Sequence, residues 1–302
     1  MGRALRVLLT GSCVIVVVGA VAFWYFLYVP APDPPQLSGI LRYDSLRVGD
    51  RVRSYAIYAP AGVSPSAPVV FALHGSMGSA EQMRRATGYG FERLADRHGF
   101  IVVYPQGYDG HWNDCRRQGS YAAKQLRVDD VGFLRALAAR VRSEHGVDSA
   151  RVFAVGLSNG AHLAYRIALE APDLVRAVAA VGANLPTRAH LDCTPVPGAT
   201  PALIINGTAD PINPYEGGKV TLFGFGDRGD VMSARESAEY LASRNQRAGS
   251  TAPVLLYTVR GGGHTFPQPY ARSRRLLGAT DHAFDGPAVI WDFFARQAGG
   301  AP

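Results

Sequence analysis

The chain has 302 residues, 47% hydrophobic and 18% charged, so it can bury a substantial core, although length alone allows one or two domains. The formal net charge is +7. The arginines are scattered and form no basic stripe with interleaved aromatics, which argues against a nucleic-acid partner.

An uncharged apolar segment lies near the N-terminus. Residues 7–29 follow Arg3 and Arg6, and as a helix they would be about 34 Å long, enough to cross a hydrocarbon core of about 30 Å. Positive charge before the segment predicts that the rest of the chain is extracytoplasmic, that is, periplasmic, cell-surface or secreted. Aromatic residues at 23–28 favour a retained membrane anchor, while small residues at 20–22 fit a signal-peptide cleavage site. Both outcomes stay open.

Beyond a signal or anchor segment at residues 1–29, strands and helices alternate. A proline-rich linker at residues 30–38 precedes a predicted antiparallel hairpin at residues 39–59. Apolar β-rich runs predict strands at residues 67–73, 100–104, 151–155, 175–181, 202–206 and 254–259. Helical spacing predicts helices at residues 80–98, 129–142, 161–170, 233–245 and 283–297. This order predicts one catalytic domain, residues 39–298, with a mainly parallel central sheet covered by helices on both faces.

The segment Gly156-Leu157-Ser158-Asn159-Gly160 stands between a predicted strand and a predicted helix. This order is typical of the nucleophile elbow of α/β-hydrolases, where a sharp turn exposes a serine oxygen at a helix N-terminus. Small residues two before and two after the serine keep the strand and the helix from colliding. The pattern arises often by chance, so its value depends on partners farther along the chain. With them, it predicts an α/β-hydrolase fold.

The partners expected of such a serine follow in the right order. Asp210 and His264 each come shortly after a predicted strand, and the order Ser158, Asp210, His264 is that of α/β-hydrolases. His264 would accept the serine proton, and Asp210 would fix the imidazole tautomer. His282 also lies beyond Asp210, but it precedes a helix rather than following a strand. Acidic residues before the nucleophile, such as Asp129, are interpreted as helix caps.

An oxyanion hole needs two donors. The backbone N–H of Asn159 directly follows the nucleophile and is predicted as one donor. The second is expected from Ser76 or Met77, in the glycine-containing loop after the strand predicted at residues 67–73.

Substrate contacts are harder to assign. Tyr108, Trp112 and Tyr215 are candidates, although each could serve packing alone, and loops at residues 182–201 and 214–229 are long enough to overhang a site. The eight histidines show no metal-ligand spacing and no phosphate-binding loop is present, so neither a metal nor a cofactor is predicted.

Several short motifs occur together in one order along the chain: Leu73-His74-Gly75, Tyr104-Pro105-Gln106-Gly107, Trp112, Asp129-Asp130-Val131-Gly132-Phe133, Gly156-Leu157-Ser158-Asn159-Gly160-Ala161, Gly207-Thr208-Ala209-Asp210-Pro211, Pro214-Tyr215-Glu216-Gly217-Gly218 and Gly262-Gly263-His264-Thr265. This set resembles the polyhydroxybutyrate depolymerase and feruloyl esterase family of secreted serine esterases, over about residues 39–297. The resemblance implies that Ser158, Asp210 and His264 act as nucleophile, acid and base.

The cysteines allow one intramolecular bridge. Cys13 lies in the apolar segment, which leaves Cys115 and Cys193 as a single possible pair, and two separate thiols are the alternative. The resemblance implies that Cys115 and Cys193 are bridged, as in similar enzymes.

Two departures from the family bear on the substrate. Phe266 follows the His264-Thr265 pair where many relatives have Trp, and the substrate-binding module of many polymer-degrading members is absent from this sequence. The missing module favours short hydroxyalkanoate oligomers or small aromatic or acyl esters as substrates. We therefore predict an extracytoplasmic serine carboxylic-ester hydrolase that acts through an acyl-Ser158 intermediate. An envelope acyltransferase with the same triad and a non-catalytic envelope binding protein are the alternatives.

Overall fold

The computed structural model describes residues 15–299, apart from the side chain of residue 149. Arg3, Arg6, Cys13 and the first part of the predicted apolar segment lie outside the described residues. Residues 15–26 form a helix, α1, whose large apolar side chains are mostly exposed. Among helices lying within residues 15–299, none combines the length and the apolar character that a bilayer crossing requires.

In the described part of the chain, ten strands form two sheets. They are β1 (Ile40–Val48), β2 (Arg51–Ala59), β3 (Val69–Leu73), β4 (Ile101–Pro105), β5 (Val152–Leu157), β6 (Ala177–Val181), β7 (Ala202–Gly207), β8 (Gly218–Lys219), β9 (Asp230–Val231) and β10 (Val254–Val259). The main sheet has the order β1-β2-β4-β3-β5-β6-β7-β10, and β8 pairs only with β9. In the main sheet, β2 runs antiparallel to β1 and β4, and every other pair is parallel. The mainly parallel sheet with an antiparallel hairpin at one edge is confirmed.

Within residues 15–299, seven further α-helices follow: α2 (Ala80–Ala86), α3 (Gly90–His98), α4 (Ala122–Gln125), α5 (Asp130–His145), α6 (Asn159–Glu170), α7 (Ala234–Arg247) and α8 (Gly286–Gln297). Because successive side chains of a strand point to opposite faces, β3 divides its residues between two apolar cores. Phe71 packs with α5, α6 and α7, while Val70 packs with α2, α3 and α8. Helices therefore lie on both faces of the sheet, as predicted for an α/β-hydrolase fold.

The single helix predicted at residues 80–98 is wrong in one respect, because the structure breaks it into α2 and α3. Gly88 and Tyr89 separate the two helices with φ values of 59° and 57°, in the left-handed region that a continuous right-handed helix excludes. A Cβ atom on Gly88 would lie 2.5 Å from the Cβ of Tyr270, so the break also lets a distant segment pack closely. That contact partner is remote in sequence, which is why helical spacing missed the break.

Cys115 and Cys193 form a disulfide, with their Cα atoms 4.9 Å apart. The bridge ties the segment before α4 to the long connection between β6 and β7. Both residues are buried and belong to the larger apolar core. The bridge implied by the resemblance is thus present.

We expect the Cys115→Ser, Cys193→Ser double variant to have a free energy of unfolding lower by up to about 4 kcal/mol, because the bridge closes a loop of 78 residues. Urea unfolding of the oxidised protein, the reduced protein and the variant measures this difference. The reduced protein serves as the control for the serine substitutions. Identical midpoints for all three would contradict a stabilising role for the bridge.

Candidate active site

The predicted catalytic residues follow three parallel strands and lie at one edge of the sheet. Ser158 follows β5, Asp210 comes shortly after β7, and His264 comes shortly after β10. The carboxyl ends of parallel strands meet at the same edge of an α/β sheet, where ligands of such folds bind. The parallel strands of the sheet therefore bring these three residues, which are far apart in sequence, close together in space.

The three side chains form a continuous hydrogen-bonded series. The Nε2 atom of His264 lies 2.8 Å from the Ser158 Oγ atom, and its Nδ1 atom lies 2.7 Å from Oδ2 of Asp210. The other carboxylate oxygen, Oδ1, accepts hydrogen bonds of 2.8 Å from the backbone N–H groups of Ile212 and Asn213. The Asp210 carboxylate is therefore fixed in orientation, and it fixes the imidazole in turn.

The turn at Ser158 has a strained backbone. Its φ and ψ angles are 54° and −115°, and a non-glycine residue rarely adopts such a positive φ. A Cβ atom on Gly156 would lie 2.1 Å from the Gly160 carbonyl oxygen, and a Cβ atom on Gly160 would lie 2.4 Å from the Leu73 oxygen. Both positions require glycine, because β5 and α6 approach each other, and α6 approaches β3, too closely for any side chain.

A buried hydrogen-bond network supports this turn. The Asn159 side chain accepts a hydrogen bond of 2.8 Å from the backbone N–H of Trp112, and donates to the Trp112 carbonyl and to the Asp114 carboxylate. The indole N–H of Trp112 donates to the His74 carbonyl at 2.8 Å. This network joins the residue after the nucleophile to the loop after β3.

None of the three aromatic candidates for substrate contact is among the residues that line the cavity at Ser158. For Trp112, which is fully buried, the expectation is corrected, while for Tyr108 and Tyr215 it stays a prediction. Trp112 is fully buried because its indole supports the His74 loop. Tyr108 lies under the guanidinium of Arg51, and the Tyr215 hydroxyl hydrogen-bonds the Thr258 hydroxyl on β10. All three are held by intramolecular contacts, and sequence alone does not distinguish such aromatics from substrate-binding ones.

The cavity that contains Ser158 and His264 has a volume of about 240 Å³. Its walls are largely apolar, with side chains from α1's C-terminal end, the loop after β3 and the loop at residues 212–229: Leu27, Met77, Ile212, Val220, Leu222 and Phe223. The sequence identified the loop at residues 214–229 as an overhang, but it did not identify these side chains. Within residues 15–299, no group of three or more metal-ligating side chains is arranged to hold a metal ion.

The predicted oxyanion donors lie around Ser158. Gly75, Ser76 and Met77 line the same cavity as Ser158, and a Cβ atom on Gly75 would lie 3.5 Å from that of Ser158. No hydrogen bond among residues 15–299 uses the backbone N–H of Ser76, Met77 or Asn159. These N–H groups are therefore free to donate to a substrate oxygen, and their role stays a prediction.

The sequence did not predict the buried polar cluster around Asp114. Asp114 pairs with the Arg116 guanidinium and accepts a hydrogen bond of 3.0 Å from the Tyr121 hydroxyl. Burial alone would raise the pKa of Asp114, but the adjacent Arg116 charge overrides burial and holds that pKa well below its usual value. The cluster is thus an ion pair in a water-poor site, next to the Asn159 side chain.

His162 lies on α6 and lines the cavity. Burial and then the Arg116 cation lower its pKa to about 3, and its Nδ1 atom has no hydrogen-bond partner among residues 15–299. Burial likewise lowers the pKa of His74 to about 4. Both histidines are therefore neutral in the folded protein over most of the pH range.

These two histidines should make the protein less stable as the pH falls. The unfolded chain takes up a proton on each near pH 6.5, whereas the folded protein does not, so stability is lost as the pH falls below 6.5. Each such histidine contributes about 1.4 kcal/mol per pH unit to this slope. We expect His162→Gln to reduce the slope between pH 6.5 and 4.5 by about that amount in urea unfolding. Equal slopes for the variant and the natural protein would show that His162 is protonated when folded.

The family model described as esterase PHB depolymerase matches residues 53–210, which include Ser158 and Asp210. NocK of Nocardia uniformis subsp. tsuyamanensis, which is assigned as an esterase, is 30% identical over 87% of this chain and 90% of its own. Poly(3-hydroxyalkanoate) depolymerase C of Paucimonas lemoignei is 30% identical over 41% of this chain and 30% of its own. Acetylxylan esterase A of Aspergillus oryzae is 29% identical over 47% and 45%. The chain thus spans nearly all of the first relative and less than half of the other two.

Solved structures show the same fold. Esterase 2 of Thermogutta terrifontis, phosphorylated by paraoxon, aligns with a TM-score of 0.56 at 19% identity, over 89% of this chain and 98% of its own. A CE1 ferulic acid esterase of Anaeromyces mucronatus aligns with a TM-score of 0.51 at 14% identity, over 87% and 99%. The chain belongs to the PHB depolymerase family of esterases and is a serine carboxylic-ester hydrolase, as the family match and the identity to NocK over most of both chains show.

Proposed function

We propose that this protein hydrolyses small esters or short oligoesters, with Ser158 as nucleophile, His264 as general base and Asp210 as the residue that orients the base. The observation that carries the proposal is the hydrogen-bonded series from Ser158 through His264 to Asp210 at 2.8 and 2.7 Å. Each distance lies within the range over which a proton is transferred between heavy atoms.

The reaction follows from this geometry. The Ser158 oxygen attacks the ester carbonyl carbon while its proton passes to Nε2 of His264, and the carbonyl oxygen becomes an oxyanion. The C–O bond to the alcohol then breaks, and His264 returns the proton to the leaving alkoxide. Water attacks the acyl-serine with the same base, which releases the acid and restores Ser158. Asp210 stays ionised throughout and stabilises the imidazolium.

Backbone N–H groups would stabilise the oxyanion. Asn159 is the first residue of α6, so its backbone N–H lies where the helix dipole adds positive potential. Ser76 or Met77 would supply the second donor across the cavity. One donor of this kind typically contributes about 3 kcal/mol to transition-state stabilisation. Because the turn at Ser158 is held rigidly, these groups need little rearrangement during the reaction.

The cavity supports small substrates. A volume of about 240 Å³ suits one short acyl or hydroxyacyl unit, and its apolar walls favour a carbon chain over a sugar. The similarity of the chain to a poly(3-hydroxyalkanoate) depolymerase and to an acetylxylan esterase supports hydroxyalkanoate oligomers and small acyl esters as candidate substrates.

We also propose an extracytoplasmic location. The disulfide between Cys115 and Cys193 favours an oxidising compartment, and the uncharged segment at residues 7–29 favours export.

Ser158→Ala should lower kcat for p-nitrophenyl acetate by at least about 1,000-fold, because the covalent route is lost while the fold is kept. Asp210→Asn should lower kcat by about 10,000-fold through the wrong imidazole tautomer. Ser143→Ala is the matched control, since Ser143 is exposed on α5 and does not line the cavity that contains Ser158. Turnover by Ser158→Ala equal to that of Ser143→Ala would refute the assignment.

Product analysis separates hydrolysis from acyl transfer by the same intermediate. With p-nitrophenyl butyrate and added methanol, a hydrolase yields mainly butyric acid because water reaches the acyl-serine freely. Methyl butyrate as the dominant product at low methanol would instead support an acyltransferase.

A further inference from the structure

The largely apolar cavity at Ser158 also has three arginines in its lining. Arg116, Arg228 and Arg274 all contribute to its walls, and no aspartate or glutamate does. His162 lines it too, but that residue is neutral, so the positive charge resides on the arginines. A cation in such a cavity favours a negative charge, either the oxyanion that forms during the reaction or an anionic group on the substrate.

Arg116 and Arg228 differ in whether a carboxylate pairs with them. Arg116 is paired with the buried Asp114 carboxylate through Nε and Nη2. Among residues 15–299, no carboxylate pairs with Arg228, which is only partly exposed. Its Nη1 atom donates to the Ser76 hydroxyl at 3.0 Å, and its guanidinium lies 5.9 Å from the centre of the Tyr121 ring.

The acids closest to Arg228 in sequence lie against other side chains. Asp227 pairs with Lys219 at 3.1 Å, and Asp230 faces His190 at 3.9 Å. Burial and then the nearby Arg116 charge lower the pKa of Arg228. Removing a cation from water without an opposite charge is costly, so this arrangement is stable only at a cost that an anion would offset.

We propose that Arg228 binds a carboxylate carried by the ester substrate, while the scissile carbonyl lies at Ser158. The hydrogen bond to Ser76 places Arg228 beside the loop that lies against the nucleophile, so the two ends of one short substrate can reach both residues. A guanidinium offers a planar fork that matches a carboxylate. The substrate class is therefore esters with a free carboxylate, such as half-esters of dicarboxylic acids and hydroxyacid oligomers with a free acid end.

This inference rests on the proposed function, and matched substrates test it with the full chain. Mono-p-nitrophenyl adipate and p-nitrophenyl hexanoate differ by a carboxylate on the acyl side, while 4-acetoxybenzoate and 4-acetoxybenzamide differ by one on the leaving group. We expect the anionic member of at least one pair to have a kcat/KM about 10-fold higher, as one charge-assisted hydrogen-bonded pair predicts.

Arg228→Gln should bring that ratio to about 1, and Arg228→Lys should keep part of it. Arg235→Gln removes the same charge from the exposed face of α7 and should leave the ratio unchanged. Thermal unfolding of each variant checks that the fold is retained. Because the readout is a ratio, a general loss of activity in Arg228→Gln leaves the test intact.

Two results would overturn the proposal: no preference for the anionic member in either pair, or an unchanged preference in Arg228→Gln. A preference that Arg235→Gln removes equally would also overturn it, because the cause would then be net charge. Failure of the proposed function is distinguishable, since then no Ser158-dependent turnover of either member of a pair would be observed.

Discussion

The close approach of three backbone segments at Ser158 is the constraint on which the active site depends. β5 must turn sharply into α6 while α6 passes against the end of β3, and only glycine at 156 and 160 leaves room for this. The result is a serine with a positive φ whose hydroxyl stands clear of the sheet edge. Strain of this kind persists only where the surroundings fix it firmly. Here β3, β5 and α6 do so from within the core.

Polar groups beneath the turn connect this constraint to the rest of the site. The Asn159 side chain is bound to Trp112 and Asp114, and Asp114 is in turn paired with Arg116 at the cavity wall. Cys115 lies between the two charged residues, so its disulfide to the connection after β6 also anchors this cluster. Ser158, Arg116 at the cavity wall and the disulfide are therefore parts of one buried structure. A substitution in this cluster should change both the position of Ser158 and the charge at the cavity wall.

Much of the fold was predictable from sequence because it depends on local patterns. Apolar β-rich runs and helical spacing gave the alternating elements, and the ends of parallel strands necessarily bring Ser158, Asp210 and His264 to one edge. The cavity lining was not predictable in the same way. Trp112 looked like a substrate contact, yet it is enclosed by His74 and Asn159, whose positions are set by long-range packing. Arg228 gave no signal, because its lack of a paired acid appears only once the loop is folded.

The central claim is that Ser158 is a nucleophile activated by His264. Reaction of the full chain with a fluorophosphonate, followed by peptide mass spectrometry, tests it directly, because such reagents phosphonylate only an activated serine at low concentration. The account predicts one adduct, on the peptide that contains Ser158, and its loss in His264→Ala. An adduct on a different residue, or equal labelling of Ser158 in His264→Ala, would contradict it.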